Sequence, residues 1–405
     1  MISSLDPFQI IQGEKVKTIC QVKANHTFTK EDFKISENTV QLFNPPRNDI
    51  FFFEKVFNSF YTTENIFDEV FGNYCQAFIE GFNTAFLFFG SKFSDKRDLL
   101  EGRKKNNFGL FELYLQNIFL LINQKTEQVE KNTAIKEGKF SLRVKAIEFL
   151  NDSMNDLLDK SGFETTNPKD RFLTLTNTEN EGLIVTGNKT TYLTKPEHIS
   201  ELVREIQANQ LNQPTEFGNL SEKTARLYIV ELVQINTLIS EEQNSIVILS
   251  KSYFYDMMCV DDLAENYDMM SNRQGDMVNR TLFGLYNYIS DFEKNEGTVV
   301  TTNPLVSLLN EILGKNVYVL SLHCLTHGQI DVTRKTMEMA TNLNRIRNFP
   351  ILNEGNALKL MTIYKKKNRW NGGNNQGTTL ANRFGRPGEM MKDSVLQPNY
   401  SVKKK

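Results

Sequence analysis

The sequence predicts an α/β fold, in which a single domain holds a central, mostly parallel mixed sheet flanked by helices. Three observations predict it: short apolar runs typical of buried strands recur along the chain, stretches of helical spacing separate them, and no internal repeat interrupts the alternation. Of the 405 residues, 40% are hydrophobic and 30 are phenylalanine, so the chain can bury a sizeable core. We expect this domain over residues 1–355 and a basic segment over 356–405.

In the first half of the chain, strands are predicted at 15–23, 50–57 and 83–89. A helix is predicted to begin at Thr62–Thr63, where hydroxyl groups precede an amphipathic stretch, and further helices open at Leu99–Leu100 and cover 109–122. Residues 140–160 are predicted to be a strand that runs into a helix. In the second half, the same patterns predict strands at 171–176, 183–194, 226–235, 244–254 and 316–325, and helices at 195–211, 276–294, 304–313 and 333–348.

Composition excludes several classes of protein. No apolar run approaches the ~18 residues of a membrane-spanning helix, and the N-terminus lacks the basic start and apolar block of a signal peptide. The four scattered cysteines indicate reduced thiols and no disulfide framework. We therefore expect a protein of the cytoplasm without a membrane partner.

The central aromatic strand ends in the outline of a phosphate-binding loop: a glycine, a polar loop with a lysine, and a helix. A working loop, G-x-x-x-x-G-K-[ST], needs a second glycine for close backbone approach and a hydroxyl that ligates magnesium. Here Gly90 and Lys96 keep their places, but Asp95 replaces the second glycine and Arg97 replaces the hydroxyl. We expect a vestigial loop with no cofactor and no metal, in which Lys96 is solvated or paired with Asp95 or Asp98.

The order of the pieces resembles that of a kinesin motor domain from about residue 15 to residue 353. The matching stretches are FFFEKVF with TTENIFDEV, EGFNTAFLFFG with Glu101-Gly102, VNRTLFGLYNYI (278–289), LLNEILGKN (308–316) and ATNLNRIRNFPILN (340–353). The resemblance implies a motor ATPase fold that moves on microtubules, with two switch motifs around the nucleotide.

Both switch motifs depart from the family pattern. N-x-x-S-S-R-S-H falls on residues 218–225, where Ser221 is kept, Glu222 replaces the second serine and Lys223 the arginine. D-L-A-G-S-E is placed on residues 250–255, so that Ser250, Tyr253 and Tyr255 replace the aspartate, glycine and glutamate, and R-x-R-P falls on residues 21–24. Because phosphoryl transfer depends on positioning and charge neutralisation, we expect no ATP hydrolysis and no catalytic residue.

The surface that would meet the acidic microtubule is altered as well. The stretch 256–276 carries six acids against Arg273, and Y-R-D-S-K-L-T-R has become the uncharged stretch 300–307. Because association with an acidic lattice depends on charge complementarity, we expect motor-type binding to be weakened or abolished.

Charge is concentrated at one end of the chain. Residues 365–405 hold ten Lys or Arg and two acids, a net charge of +8, whereas residues 1–364 carry about −10. The basic tail is the main candidate for partner binding, with Lys365, Lys366, Lys367, Arg369, Trp370, Arg383 and Arg386 as the contact residues. These residues suit an acidic protein surface such as tubulin, and also a nucleic-acid backbone, which we favour less. A solvating tail without a partner is the third alternative.

Two other groups of residues contain side chains that could form a site. His323-Cys324-x-x-His327 has the residue types of a metal site, but it lies at the end of a core strand whose successive residues face opposite ways, so a structural role is expected. Asp261 and Asp262 are expected to be solvated.

We therefore predict a non-catalytic, kinesin-like structural or adaptor subunit of a microtubule-based or other cytoskeletal assembly, such as the axoneme of a cilium. It has no heptads for a self-dimerising coiled coil. The alternatives are a divergent kinesin that still binds nucleotide and microtubules, and a scaffold that docks on nucleic acid through its tail.

Overall fold

The computed structural model describes residues 13–23, 33–44, 47–91, 93–102, 107–132, 135–150, 152–159, 173–178, 182–212, 214–215, 218–219, 223–238, 245–259, 261, 273–292, 294, 301–328 and 330–353. In chain order the strands are β1 (Glu14–Lys15), β2 (Lys17–Lys23), β3 (Phe33–Ile35), β4 (Thr39–Asn44), β5 (Arg47–Phe52), β6 (Lys55–Phe57), β7 (Thr84–Gly90), β8 (Ile135–Leu150), β9 (Ser153–Asp156), β10 (Thr174–Thr178), β11 (Gly182–Thr186), β12 (Thr191–Leu193), β13 (Pro214–Thr215), β14 (Gly218–Asn219), β15 (Ala225–Leu238), β16 (Ser245–Asp256), β17 (Tyr318–Thr326) and β18 (Arg347–Asn348).

Seven helices are described. The first, α1, is continuous and consists of Thr63–Ile66, a π-helical turn Phe67–Phe71, and Gly72–Glu80. The others are α2 (Lys96–Glu101), α3 (Leu110–Lys131), α4 (His198–Ala208), α5 (Arg273–Ser290), α6 (Pro304–Leu309) and α7 (Ile330–Arg345). Within the described part of the chain, no helix combines the length and apolarity needed to cross a membrane.

The main sheet has nine strands in the order β12-β8-β15-β16-β7-β17-β2-β6, with β9 beside β8. From β16 through β7, β17 and β2 to β6, each strand is parallel to the next, whereas β15 is antiparallel to both β8 and β16. The mixed α/β sheet is therefore confirmed, with its parallel pairs extending from β16 to the edge strand β6. Every residue of β7 is buried, as expected of a strand covered on both faces.

Helices cover both faces of this sheet. On one face, α1, α3 and α4 enclose a core in which the Phe86 ring contacts Phe71, Tyr114 and Phe254 at centroid distances of 4.7, 5.5 and 4.6 Å. On the other face, residues of α5, α6 and α7 pack against β7 and β17. The small sheet β3-β4-β5 packs on a third cluster beside β2.

The start of α1 follows the predicted capping chemistry. The Thr62 hydroxyl accepts a hydrogen bond from the Asn65 N–H at 3.2 Å, and the Asn65 side chain accepts one from the Thr62 N–H at 3.1 Å. The helix ends at Gly81, whose φ of 108° is the left-handed conformation that glycine adopts without steric cost.

Three predicted elements differ from the structure. Residues 140–150 do not lead into a helix: β8 continues to Leu150 and turns back as β9, because Ala146, Ile147 and Phe149 alternate between two apolar cores. The stretch 50–57 is two strands, β5 and β6, that belong to different sheets. The stretch 183–194 is likewise divided between β11 and β12, which belong to different sheets. The domain limit at 355 stays a prediction.

His323 lies inside the sheet, where burial disfavours the protonated form of its side chain. Its Nε2 contacts the Ser321 hydroxyl at 2.7 Å, its ring stacks on Phe89 at 5.2 Å, and burial lowers its pKa to about 3. Because the unfolded chain takes up a proton near pH 6.5 and the folded chain does not, stability is lost as the pH falls below that value. From about pH 7.5 to about pH 5, we expect a loss of about 2 kcal/mol in unfolding free energy from this group.

The variant His323→Gln is expected to remove that part of the pH dependence, as measured by urea unfolding across the same range. His198→Gln, at an exposed histidine, serves as the control and should retain the wild-type slope. Equal slopes in the two variants would contradict the assignment.

Candidate functional site

The loop after β7 is held closed by short contacts. A Cβ on Gly90 would lie 2.7 Å from the carbonyl oxygen of Cys324 and 2.6 Å from the Ser94 hydroxyl, so only glycine fits there. The Ser94 N–H and hydroxyl both donate to the carbonyl oxygen of Ser91, at 3.2 and 2.6 Å. The loop is thus a tight turn bonded to itself, directly before α2.

Asp95 occupies the position of the second glycine and keeps a glycine-like backbone. Its φ is 53° and its ψ is 22°, and it is the one non-glycine residue with a left-handed φ among those that the structure describes. Such a conformation costs on the order of 1 kcal/mol for a residue with a Cβ. Its carboxylate forms a half-exposed ion pair with Lys23 at the end of β2.

Lys96 is buried, with 2% of its side chain exposed. Its ammonium lies 2.6 Å from Asp256 Oδ1, at the end of β16, and donates to the carbonyl oxygen of Met257. The expectation that Lys96 is solvated or paired with Asp95 or Asp98 is therefore wrong. The physical reason is that β16 runs parallel to β7, which brings the carboxyl end of one strand beside the loop that follows the other.

Arg97, in the place of the magnesium-binding hydroxyl, also contacts Asp256. Its Nε donates to Asp256 Oδ2 at 2.9 Å, and its terminal nitrogen Nη2 donates to the carbonyl oxygen of Thr224 at 3.1 Å. The guanidinium thereby joins α2 to the end of β16 and to the residue that precedes β15.

A third cation, Arg226, reaches the same carboxylate from β15. Its Nη1 lies 3.3 Å from Asp256 Oδ2 and 3.4 Å from Glu101 Oε1, and its Nε lies 3.1 Å from Glu148 Oε1. The side chain of Arg226 is fully buried, as are those of Asp256 and Glu148. Arg226 is thus the centre of the buried part of the site.

Three cations and three carboxylates form this cluster, which we call the Asp256 network; its members are Lys96, Arg97, Glu101, Glu148, Arg226 and Asp256. Burial raises the pKa of Asp256, but the charges of Lys96, Arg97 and Arg226 outweigh it and hold that pKa below its ordinary value. Burial lowers the pKa of Arg226, and its acidic neighbours raise it further than burial lowers it. Three basic and three acidic side chains, counted by their formal charges, give the network a net charge of zero.

Neutral groups add hydrogen bonds to two of the acids, Glu101 and Glu148. The Tyr228 hydroxyl and the Gln210 amide donate to Glu101 Oε1 at 2.6 and 2.8 Å. The Thr224 hydroxyl donates to Glu148 Oε1 at 3.0 Å, and the Leu211 N–H donates to Glu148 Oε2 at 2.9 Å. Such hydrogen bonds offset the desolvation that makes buried ion pairs costly.

Comparison with known proteins assigns the family. A family model described as the kinesin motor domain matches residues 11–346, which is most of the chain. The chain belongs to the kinesin motor domain family. It is 24% identical over 300 residues to kinesin-related protein 11 of Dictyostelium discoideum, covering 71% of this chain and 41% of that protein. It is 22% identical over 339 residues to the kinesin-like protein KIP3 of Saccharomyces cerevisiae, covering 78% of this chain and 39% of that protein.

Solved kinesin structures share the fold. A fast kinesin superposes with a TM-score of 0.68 at 15% identity, covering 84% of this chain and 94% of that chain. A KIF14 dimer with AMP-PNP in complex with a microtubule superposes with a TM-score of 0.72 at 18% identity, covering 84% of this chain and 97% of that chain. The chain spans about two fifths of the length of the two curated relatives, so the similarity concerns their motor domains.

The structure corrects the placement of the second kinesin switch motif. Ser250 is buried in the middle of β16, opposite Leu232, and lies six residues, or roughly 20 Å of strand, before the loop. The residue beside Lys96 is Asp256, so D-L-A-G-S-E corresponds to residues 256–261. In this register the kinesin aspartate is kept as Asp256, Cys259 replaces the glycine and Asp261 replaces the glutamate.

The prediction that Asp256 and Asp261 are surface charges is also wrong. Asp256 belongs to the buried network, and Asp261 is only 3% exposed, so neither contributes to an acidic track-facing loop. Residues 262–272 of that loop lie outside the described residues, as do Ser221 and Glu222 of the first switch motif and the whole tail with Lys365, Lys366, Lys367, Arg369, Trp370, Arg383 and Arg386. Their predicted roles stay predictions.

The residues present do not fit a magnesium–nucleotide complex of the kinesin type. Both oxygens of Asp256 already contact internal cations, Arg97 supplies a guanidinium where the family has a hydroxyl, and Asp95 adds a carboxylate to the loop. A dianionic ligand has no surplus positive charge to meet in a network whose net charge is zero.

Sequence reasoning found Gly90 and Lys96 but missed the residues that complete the site. The sequence pattern identified Arg97 only as the replacement of a magnesium-binding hydroxyl. It placed Glu148 and Arg226 in predicted strands and gave them no role in a site. Asp256 carried a usable signal, since it directly follows the apolar end of a strong strand, where functional residues of parallel sheets gather. The His323-Cys324-x-x-His327 group is divided between packing roles, with His327 stacked on Phe33 at 4.2 Å.

Arg226→Met is expected to lower the free energy of unfolding by about 3–5 kcal/mol. The reason is that Lys96 and Arg97 both contact Asp256, so Glu101 and Glu148 lose their contact with a cation of the network. Urea unfolding followed by circular dichroism measures the change. Arg345→Met, at an exposed arginine of α7, is the control and should change stability by no more than about 0.5 kcal/mol. A loss for Arg226→Met no larger than the control's would show that the network contributes no stability.

Proposed function

We propose that this kinesin-like cytoskeletal protein has lost nucleotide hydrolysis and serves as a structural or adaptor subunit of a microtubule-based assembly such as an axoneme. The observation that carries the proposal is the contact of Arg97 with Asp256 at 2.9 Å. Kinesin motor domains are ATPases, and the family's aspartate in this chain is neutralised by the chain's own arginine.

The network supplies internally what a bound nucleotide and its metal would supply. A working site holds its catalytic groups around charges that arrive with the ligand. Here the corresponding groups are joined to one another across α2, β8, β15 and β16, and the joining contacts are buried. The fold is therefore kept in one arrangement without a ligand, which suits a protein used for its shape and surfaces.

The proposed partner is tubulin or a protein bound to microtubules. The KIF14 structure with which this chain superposes is a microtubule complex. The uncharged stretch Thr301–Ser307 offers no basic contact, so the attraction to an acidic surface is assigned to the tail, with its net charge of +8. The predicted location is accordingly the cytoskeleton.

A second candidate is a divergent kinesin that still binds nucleotide. The specific observation in its favour is Asp256, which stands at the end of β16 beside Lys96 as the family pattern requires. The two candidates differ in whether magnesium and nucleotide displace Arg97 from this carboxylate.

The wild-type chain is expected to bind ATP or ADP with magnesium more weakly than about 1 mM, as measured by titration calorimetry. Asp95→Gly combined with Arg97→Thr removes a carboxylate from the loop and the internal cation from Asp256, and it restores the family's glycine and hydroxyl. We expect this double variant to bind at least roughly tenfold more tightly than wild type.

Adding Lys96→Ala to the double variant is the control and should abolish the gain. Tight, magnesium-dependent binding of ATP by the wild-type chain, or its microtubule-stimulated hydrolysis, would contradict the proposal and favour the second candidate.

Association with microtubules is expected to depend on the tail and on salt, and not on nucleotide. Lys365→Glu, Lys366→Glu and Lys367→Glu together reverse the charge of the proposed contact, so the bound fraction in co-sedimentation should fall steeply at about 0.1 M salt. The same bound fraction is expected with ADP, with AMP-PNP and without nucleotide.

A matched control reverses three exposed lysines of the body, Lys34, Lys189 and Lys195, and should leave co-sedimentation unchanged. Nucleotide-dependent binding, or full binding after the tail substitutions, would contradict tail-driven docking. Binding to duplex DNA without binding to microtubules would favour a nucleic-acid scaffold instead.

A further inference from the structure

The antiparallel strands β8, β15 and β16 are covered by helices on one face far more fully than on the other. On the covered face, Val144, Val230 and Leu232 belong to the core beneath α1, α3 and α4. On the opposite face, the second core ends at Ile229 and Tyr253, which are only partly buried. Among the described residues farther along these strands on that face, four apolar side chains belong to none of the three cores: Val233, Ile235, Val247 and Leu249.

A row of charged side chains crosses the same face. Glu231 lies at its centre, and Arg143 of β8 and Lys251 of β16 stand directly opposite Glu231 on the two neighbouring strands. Arg143 Nε lies 2.7 Å from Glu231 Oε2, and Lys251 Nζ lies 3.5 Å from Glu231 Oε1. Lys145 Nζ reaches Oε2 at 3.6 Å. We call this row, together with the six apolar residues, the ribbon face.

The ribbon face has a surplus of positive charge. Burial raises the pKa of Glu231, but the charges of Lys251, Lys145 and Arg143 outweigh it and hold that pKa at about 2. Three cations and one carboxylate therefore leave a formal charge of +2. Between 15% and 25% of each cationic side chain is exposed. Farther along β8, Glu137 and Lys139 add charges that cancel.

The dimensions of the ribbon face match those of one helix. From Ile229 to Ile235 the face is seven residues of strand, or roughly 20 Å, long, and three strands make it about 10 Å wide. An α-helix is about 10 Å across and rises about 1.5 Å per residue, so a helix of about 13 residues covers the face. Helices are the elements that cover an apolar sheet face in α/β domains.

Charge disfavours the occupants that are nearest at hand. The carbonyl oxygen of Asn353 accepts a hydrogen bond from the Leu249 N–H at 3.3 Å, so the described chain ends beside the ribbon face. Residues 354–370, however, contain five bases and one acid, and a basic face repels them. A second copy of the chain would bring two basic faces together. Nucleic acid would leave the apolar side chains without apolar partners.

We propose that the ribbon face binds an amphipathic helix of another protein, with apolar side chains against β15 and β16 and carboxylates against Arg143, Lys145 and Lys251. The bound helix completes the layer that the described helices leave open. This inference deepens the proposed adaptor role, because it gives the chain a second interface besides the tail. It depends only on the ribbon face, so its failure would leave the proposed loss of hydrolysis untouched.

The probe is a fluorescein-labelled synthetic peptide of about 14 residues, in which leucines at helical spacing form one face and glutamates flank it. Fluorescence anisotropy with the full chain measures binding at about 0.1 M salt, where the Debye length is about 10 Å. We expect a Kd on the order of 10 μM. A second peptide, with serines in place of the leucines and the same charge, should bind at least roughly tenfold more weakly.

Two variants test the two halves of the ribbon face. Lys139→Glu combined with Lys145→Glu reverses charges along β8 and should weaken binding of the leucine peptide at least roughly tenfold. Val247→Ser combined with Leu249→Ser removes apolar surface without a change of charge and should weaken binding to a similar extent. Far-UV circular dichroism of both variants should match that of the wild-type chain.

Lys34→Glu combined with Lys189→Glu is the matched control, since it makes the same change in net charge at exposed positions elsewhere. It should keep the wild-type Kd.

The basic tail is the competing site for an acidic peptide. Lys365→Glu, Lys366→Glu and Lys367→Glu together should therefore leave the Kd within about twofold of the wild-type value if the peptide occupies the ribbon face. Loss of binding in this tail variant, equal binding of the leucine and serine peptides, or a Kd that the substitutions in the ribbon face leave unchanged would overturn the proposal.

Discussion

The carboxylate of Asp256 is the point on which the loop end of this motor fold depends. Three cations from two segments of the chain contact it, Lys96 and Arg97 at 2.6 and 2.9 Å and Arg226 at 3.3 Å. Arg226 in turn forms ion pairs with Glu101 and with Glu148 of β8, which extends the network into the sheet. A helix and three strands are thus fixed to one another by contacts that water does not reach.

We propose that this arrangement replaces a site that depends on a ligand with one that does not. In the family pattern, the loop glycine and hydroxyl leave room and charge for an incoming anion and its metal. Here the left-handed backbone of the glycine persists at Asp95 although a side chain makes it costly, which indicates that the surrounding fold, and not the residue, sets the turn. In this proposal the fold is kept, the cations of the loop are neutralised by the chain's own carboxylates, and Asp256 has a structural role.

Most of the architecture could be predicted from the sequence, because strand burial and helix periodicity are local signals. Thr62 marked the start of α1, and the wholly apolar run ending at Gly90 marked the central strand. The continuation of β8 into β9 could not be read, because residues 140–160 satisfy helical spacing and strand alternation alike, and only packing against two cores decides. The site was harder still. The partners of Lys96 lie far along the chain, so no local pattern identifies them. The alternation of side chains along a long strand also gives no absolute register. The second switch motif was therefore placed six residues too early, with Ser250 in the position that Asp256 occupies.

The most direct test is a crystal structure of the wild-type chain grown with excess magnesium and a non-hydrolysable ATP analogue. We expect the Arg97 guanidinium on Asp256 Oδ2 and no nucleotide density above the loop. A triphosphate seated on Lys96, with its metal between the phosphates and Asp256 and with Arg97 turned away, would contradict it.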